Sequence, residues 1–151
     1  MRNPRPILLA EDNPNDVELI LAAFKDANFV NEIHVTHDGE QALDFLHSRG
    51  KYAGRPGPLP AVILLDLKMP KVDGREVLRH VRTDPDLRHI PVVILTSSRE
   101  ESDLLASYQL GANAFVVKPV DFQEFINAVS KLGFFWAMLN EPPPGDSNPP
   151  H

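Results

Sequence analysis

A chain of 151 residues fits one domain and can enclose a hydrophobic core, and its 42% hydrophobic and 24% charged residues are ordinary for a soluble globular protein. A net charge of −6 argues against a nucleic-acid surface, which needs a clustered basic face, and the absence of cysteine excludes disulfides, thiolate catalysis and cysteine-based metal sites. Met1-Arg-Asn-Pro-Arg-Pro6 leads into only four apolar residues, Ile7 to Ala10, too few for a signal peptide or a membrane span, so a cytoplasmic protein is expected.

The first apolar run, Ile7 to Ala10, ends in Glu11-Asp12. Asn13-Pro14 then supplies an N-cap residue and a proline at the first helical position, and Val17, Ile20, Leu21 and Phe24 share one helical stripe. A second run, Ile33 to Thr36, precedes a helix with Ala42, Leu43 and Leu46 on its apolar face. The segment from Arg49 to Pro60, with prolines at 56, 58 and 60 among glycines, predicts a long loop. The third run, Ala61 to Leu65, ends in Asp66; Asp73 and Glu76 have capping-box spacing before the stripe Val77, Leu78, Val81. The fourth run, Pro91 to Thr96, is followed by a helix carrying Leu104, Leu105 and Tyr108. The fifth, Ala114 to Val117, ends in Lys118-Pro119, and Asp121 with Glu124 opens an extended last helix with Phe122, Phe125, Ile126, Val129 and Leu132. A domain over residues 1–139 and a Pro-rich disordered tail over 140–151 are expected.

The runs are short, β-branched and continuously apolar, as strands covered on both faces are. Five of them alternating with five helices predict an α/β fold: a doubly wound, five-stranded parallel sheet, flavodoxin-like, in the order 2-1-3-4-5, its fifth helix extended. In such sheets ligands bind outside the carboxyl ends of the strands. Glu11, Asp12, Asp66, Thr96, Ser97 and Lys118 all fall there. Carboxylates a few ångströms apart repel at roughly 4 kcal/mol per pair for an effective dielectric of about 20. A hard divalent cation relieves that repulsion, and magnesium suits a few carboxylates while keeping waters that a phosphoryl oxygen can replace. Cation and Lys118 together would neutralise a phosphoryl group in transfer to a carboxylate.

Glu11-Asp12-Asn13-Pro14, Leu65-Asp66-Leu67-Lys68-Met69-Pro70, Asp73-Gly74, Leu95-Thr96-Ser97 and Val117-Lys118-Pro119-Val120 resemble, in order, the signature blocks of CheY-like response-regulator receiver domains. The resemblance implies that Asp66 accepts a phosphoryl group from a histidine kinase's phosphohistidine or a small acyl phosphate. It implies Mg2+, or Mn2+, held by Asp12, Asp66 and the backbone carbonyl of Lys68, with Glu11 acting through water. Thr96 would hydrogen-bond the phosphoryl group, Lys118 would pair with it, and the Lys118–Pro119 peptide would be cis. Thr96 and Phe115 would form a two-state switch read out on the surface of the fourth helix, fifth strand and fifth helix.

A narrower resemblance rests on the block from Ser107 to Asn113, on Lys118-Pro119-Val120-Asp121-Phe122, on Phe134-Phe135-Trp136 and on the long loop before the third strand. These are similar to response regulators paired with bacterial phytochrome kinases. Phe134, Phe135, Met138 and Leu139 lie off the core stripe of the last helix, and such an apolar patch marks an interface. A homodimer through this region is expected.

Other chemistries fit less well. Aspartyl-phosphate phosphatases or phosphotransferases place a second acid two residues after the nucleophile, where this chain has Lys68. A dinucleotide enzyme needs glycines after the first strand, where Glu11-Asp12 would repel a pyrophosphate. A phosphorylation-independent scaffold would tend to have lost Asp66, Thr96 or Lys118. A phosphoacceptor signalling protein, not an enzyme, is therefore expected. Among the histidines, His34 and His37 have no third ligand nearby, and His80 and His89 read as surface residues, so no histidine metal site is expected. Lys68 is placed to shield an acyl phosphate from water.

Overall fold

The computed structural model describes residues 5–27, 31–55, 57–97, 109–120 and 122–130, and of 122 and 128–130 the backbone alone. Five strands, β1 (Ile7–Ala10), β2 (Ile33–Thr36), β3 (Val62–Asp66), β4 (Val92–Thr96) and β5 (Ala114–Val117), form one parallel sheet in the order β2-β1-β3-β4-β5. Four helices are described: α1 (Pro14–Asp26), α2 (Gly39–His47), α3 (Gly74–Thr83) and α4 (Phe122–Ser130). The α4 helix is the one expected last in the chain. The expected helix around Leu104 to Tyr108, the extension past Ser130 and the tail lie outside the described residues.

Alternation along each strand builds a core on both faces. Ile7, Leu9, Val62, Leu64, Val93 and Leu95 meet Val17, Ile20 and Phe24 of α1 and Phe125 of α4. Leu8, Ala10, Ile63, Leu65, Val92 and Ile94 meet Ala42, Phe45 and Leu46 of α2 and Val77, Leu78 and Val81 of α3. Every residue of β1, β3 and β4 is buried, whereas β2 and β5 are only partly so. The uniform two-sided burial read from the sequence thus holds for the three central strands; the outer two are sheet edges.

Three N-caps fix where helices begin on the rim. Asn13 accepts from the Asn15 and Asp16 amides at 2.9 and 3.4 Å, and Asp73 from the Glu76 amide at 3.0 Å. Asp38 accepts from the Gln41 amide at 2.8 Å while Gln41 Oε1 accepts from the His37 amide at 3.0 Å, a reciprocal capping box. The long connection folds back on α2: a 3₁₀ turn at Gly50–Tyr52 sets Tyr52 edge-on to Phe45, and the Arg55 guanidinium stacks 4.0 Å from the Phe45 ring centre. At the opposite end of the sheet Arg82 donates to the Gly111, Arg88 and Ile90 carbonyls and to Asn113 Oδ1, at 2.6 to 2.9 Å. That clamp ties the end of α3 to the segments entering β4 and β5.

Candidate functional site: an acid nest at the strand ends

Parallel pairing places the carboxyl ends of β1, β3, β4 and β5 along one rim. Glu11 and Asp12 follow β1, Asp66 ends β3, Thr96 ends β4 and Lys118 follows β5. A cleft of about 440 Å3 opens there, lined by Glu11, Asp12, Asn13, Asp16, Asp66, Ser97, Lys118 and Pro119. The Lys118 amide donates to the Thr96 carbonyl at 2.8 Å, holding the last two strand ends together, and the Lys118–Pro119 peptide is cis.

Lys118 reaches into the centre of this cleft. Its Nζ lies 2.5 Å from Glu11 Oε1, 3.0 Å from Asp16 Oδ2 and 3.2 Å from Asp66 Oδ2. Burial alone would make the ammonium easier to deprotonate, but hydrogen bonds to Glu11 and Asp16 and the charges of Asp66 and Glu11 reverse that and hold the proton firmly. Asp66 is oriented at both oxygens, since its Oδ1 accepts the Lys68 amide at 3.1 Å. Glu11 is fully buried; its Oε2 accepts the Asn13 amide at 3.2 Å.

One ammonium does not balance this nest. Glu11 is pushed up from 4.5 to about 7, by burial first and by Asp66 besides, against the opposing pull of Lys118 and the Asn13 amide. Buried Glu11 Oε1 is met by the Lys118 ammonium, which Asp16 and Asp66 share. Glu11, Asp12 and Asp66 each offer an oxygen within 4.8 Å of the others. Three carboxylates this close, sharing one ammonium with Asp16, are a donor set for a hard divalent cation.

The Asp66 loop is held just as closely. The Gly74 amide donates to the Leu67 carbonyl at 2.9 Å, and an added Cβ at Gly74 would stand 2.2 Å from the Asp66 carbonyl oxygen. Glycine is required there by close approach. Lys71, in the same loop, adopts φ 66 and places its Nζ 3.7 Å from Asp38.

Glu11, Asp12, Asp66, Thr96 and Lys118 therefore gather on one rim. Phe115 is half-buried, the second residue of β5, opposite Ile94, and packs against the core on the α2–α3 face. Phe134, Phe135, Met138 and Leu139 lie outside the described residues. Sequence reasoning missed Asp16. The available signal was an acid in the first turn of a helix whose start opens on the rim.

Comparison with known proteins agrees with this geometry. The family described as the response regulator receiver domain matches residues 7–130. Response regulator Rcp1 of Synechocystis sp. is 40% identical over 133 residues, 88% of this chain and 89% of its own. Among solved structures, the bacteriophytochrome response regulator AtBRR superposes with a TM-score of 0.82 at 61% identity, covering 91% of this chain and 98% of that one. The Mn2+-bound form of Rcp1 gives a TM-score of 0.72 at 37% identity, covering 98% and 100%. Receiver domains take Mg2+ or Mn2+ at an acidic pocket of this kind. With that fold, acid nest and family match together, the chain belongs to the response regulator receiver family, is similar to the phytochrome response regulators, and has the phosphoacceptor function of a receiver.

Proposed function

We propose that Asp66 is the phosphoacceptor and that Glu11, Asp12 and Asp66, with the Lys68 carbonyl, hold Mg2+ or Mn2+ beside it. The observation that carries this reading is Asp66 itself: a carboxylate at a strand end, fixed by the Lys68 amide on one oxygen and by Lys118 on the other. An Asp66 oxygen attacks the phosphorus of a phosphohistidine, the phosphorus–nitrogen bond breaks, and the imidazole leaves with that bonding pair. The metal, when bound, supplies positive charge for the phosphoryl oxygens. Lys118 then exchanges its contact with Asp66 for a phosphoryl oxygen while keeping Glu11 and Asp16 as anchors. Thr96, at the end of β4, is placed to donate to the group, and Phe115 to register its movement.

The donor is a histidine kinase, and the likeness to bacteriophytochrome regulators favours one of phytochrome type. None of the described helices is long and apolar enough to cross a membrane. The run containing Phe134, Phe135, Met138 and Leu139 supports a homodimer, with which a monomer in sedimentation at tens of micromolar would be incompatible. The decisive test of the acceptor is intact mass after acetyl phosphate and Mg2+. One added phosphoryl group is expected in the wild type and none in Asp66→Ala; retention of the added mass in that variant would overturn the assignment.

A further inference from the structure

Away from the acid rim, the fold gathers a second set of metal-ligating side chains. His47 is the last residue of α2, His80 lies in the last turn of α3, and Asp84 is the residue that caps α3. Their ligand atoms all lie within 4.8 Å of one another. The two Nε2 atoms are 2.7 Å apart, and Asp84 Oδ2 is 3.8 Å from His47 Nε2 and 3.9 Å from His80 Nε2. The rings meet edge to face, at 86°, with the two Nε2 atoms turned toward each other.

We propose that His47, His80 and Asp84 form a binding site for a first-row transition ion of the zinc class, clasping the ends of α2 and α3. Three observations converge on this. Ligand atoms about 2.1 Å from a tetrahedral ion stand about 3.4 Å apart. The observed edges of 2.7, 3.8 and 3.9 Å scatter around that length, and changes of about 0.7 Å or less in each edge regularise them. The carboxylate is already positioned, because Asp84 Oδ1 accepts the Asp86 amide at 2.8 Å and leaves Oδ2 to the histidines. Finally, the site sits at the carboxyl ends of two helices, where the backbone dipoles favour positive charge.

Two imidazoles and one carboxylate match zinc, and not the hard oxygen set that magnesium prefers. The side chains of His47 and His80 are 27% and 38% exposed, which leaves an approach for the ion and a fourth position for water. Without metal, the 2.7 Å contact requires one ring to carry its proton on Nε2 and the other on Nδ1. Binding moves the first ring's proton to Nδ1 through solvent, so both Nε2 lone pairs face the ion. Because helix carboxyl ends return to the edge from which the next strand starts, this site and the acid nest lie at opposite ends of the sheet and do not compete.

The test is zinc titration of the full chain in millimolar Mg2+, which keeps the acid nest filled, followed by calorimetry and by the visible spectrum of Co2+. One equivalent of Zn2+ that Mg2+ does not displace is expected, with a tetrahedral Co2+ spectrum. His47→Gln and His80→Gln should each weaken binding by about a hundred-fold, with phosphorylation of Asp66 by acetyl phosphate unchanged. Unaltered zinc affinity in both variants, or displacement by Mg2+, would overturn the proposal. Should either variant melt early, imidazole nitrogen resonances of the wild type decide. Zinc must move those of His47 and His80, and movement confined to His34, His37 or His89 sinks the assignment.

Discussion

Replacing Gly74 with alanine should disable the switch without touching any charged group. The new methyl would stand 2.2 Å from the Asp66 carbonyl oxygen, 2.6 Å from Leu67 Cα and 3.0 Å from the Asp66 carbonyl carbon. All three are backbone atoms, so no rotamer change offers relief. Bringing the closest contact to 3.0 Å requires α3 or the end of β3 to move by at least 0.8 Å. Overpacking of this kind costs about 1–3 kcal/mol, and here the upper end applies because both partners are pinned, Gly74 by its bond to Leu67 and Asp66 by the sheet. A displacement of nearly an ångström at the acceptor also lowers the phosphorylation rate on the order of 100-fold. Urea melts and the time course of acetyl-phosphate labelling, read by intact mass, measure the two effects separately. Gly54→Ala is the control: Gly54 has φ +76 but nothing within 4 Å of an added Cβ, so it should cost about 1 kcal/mol of backbone strain and leave labelling intact. If Gly74→Ala loses less than about 0.5 kcal/mol and labels at the wild-type rate, the close-approach argument is wrong.

Other consequences follow from charge and hydrogen bonding. Arg82→Met removes four donated hydrogen bonds from a half-buried guanidinium and should cost about 2–3 kcal/mol in urea melts, while Arg82→Lys recovers only a minor part because it lacks the fork. Lys118→Met should tighten Mg2+ binding by about ten-fold, by removing a cation within 3.2 Å of three carboxylates. The same change should slow labelling of Asp66 by about a hundred-fold; weaker Mg2+ binding in calorimetry would contradict the electrostatic argument. The metal-free protein should lose stability as pH rises through Glu11's range. Folded Glu11 keeps its proton to about 7 whereas the ordinary value is 4.5, so the unfolded chain binds fewer protons between those limits and is favoured as pH climbs. Melts in chelator should show this fall, and Glu11→Gln or saturating Mg2+ should flatten it.

What could be read from the sequence was whatever depends on position along a strand. Continuous apolar runs gave five strands, their alternation with helices made the flavodoxin-like order the most economical one, and the residue ending each run gave the rim, because a parallel sheet puts all carboxyl ends together. What could not be read depends on contact between segments far apart in the chain. Gly39 must be small because an added Cβ would fall 1.8 Å from the Val72 carbonyl oxygen, and nothing near residue 39 announces residue 72. His47 and His80 are 33 residues apart, and only the packing of α2 beside α3 makes them neighbours. The edge character of β2 was hidden by a different cause, since Ile33 and Val35 are as β-branched as any core residue.

Cation dependence follows from the charges in the cleft as much as from kinship. Glu11, Asp12, Asp16 and Asp66 face a single ammonium at the β5 end, and Glu11 has no solvent to share its charge with. The folded chain can relieve this by leaving a proton on Glu11 or by admitting a cation between Glu11, Asp12 and Asp66. A proton removes one negative charge, and a phosphoryl group placed on a carboxylate adds about one, since the acyl phosphate carries about two where the carboxylate carried one. On the proposed reading of Asp66 as the acceptor, that added charge cancels what a proton on Glu11 relieves, so labelling should depend on divalent cation even where Glu11 is protonated. Intact mass after acetyl phosphate at about pH 6, with Mg2+ and with chelator, checks this: equal labelling in chelator would refute it.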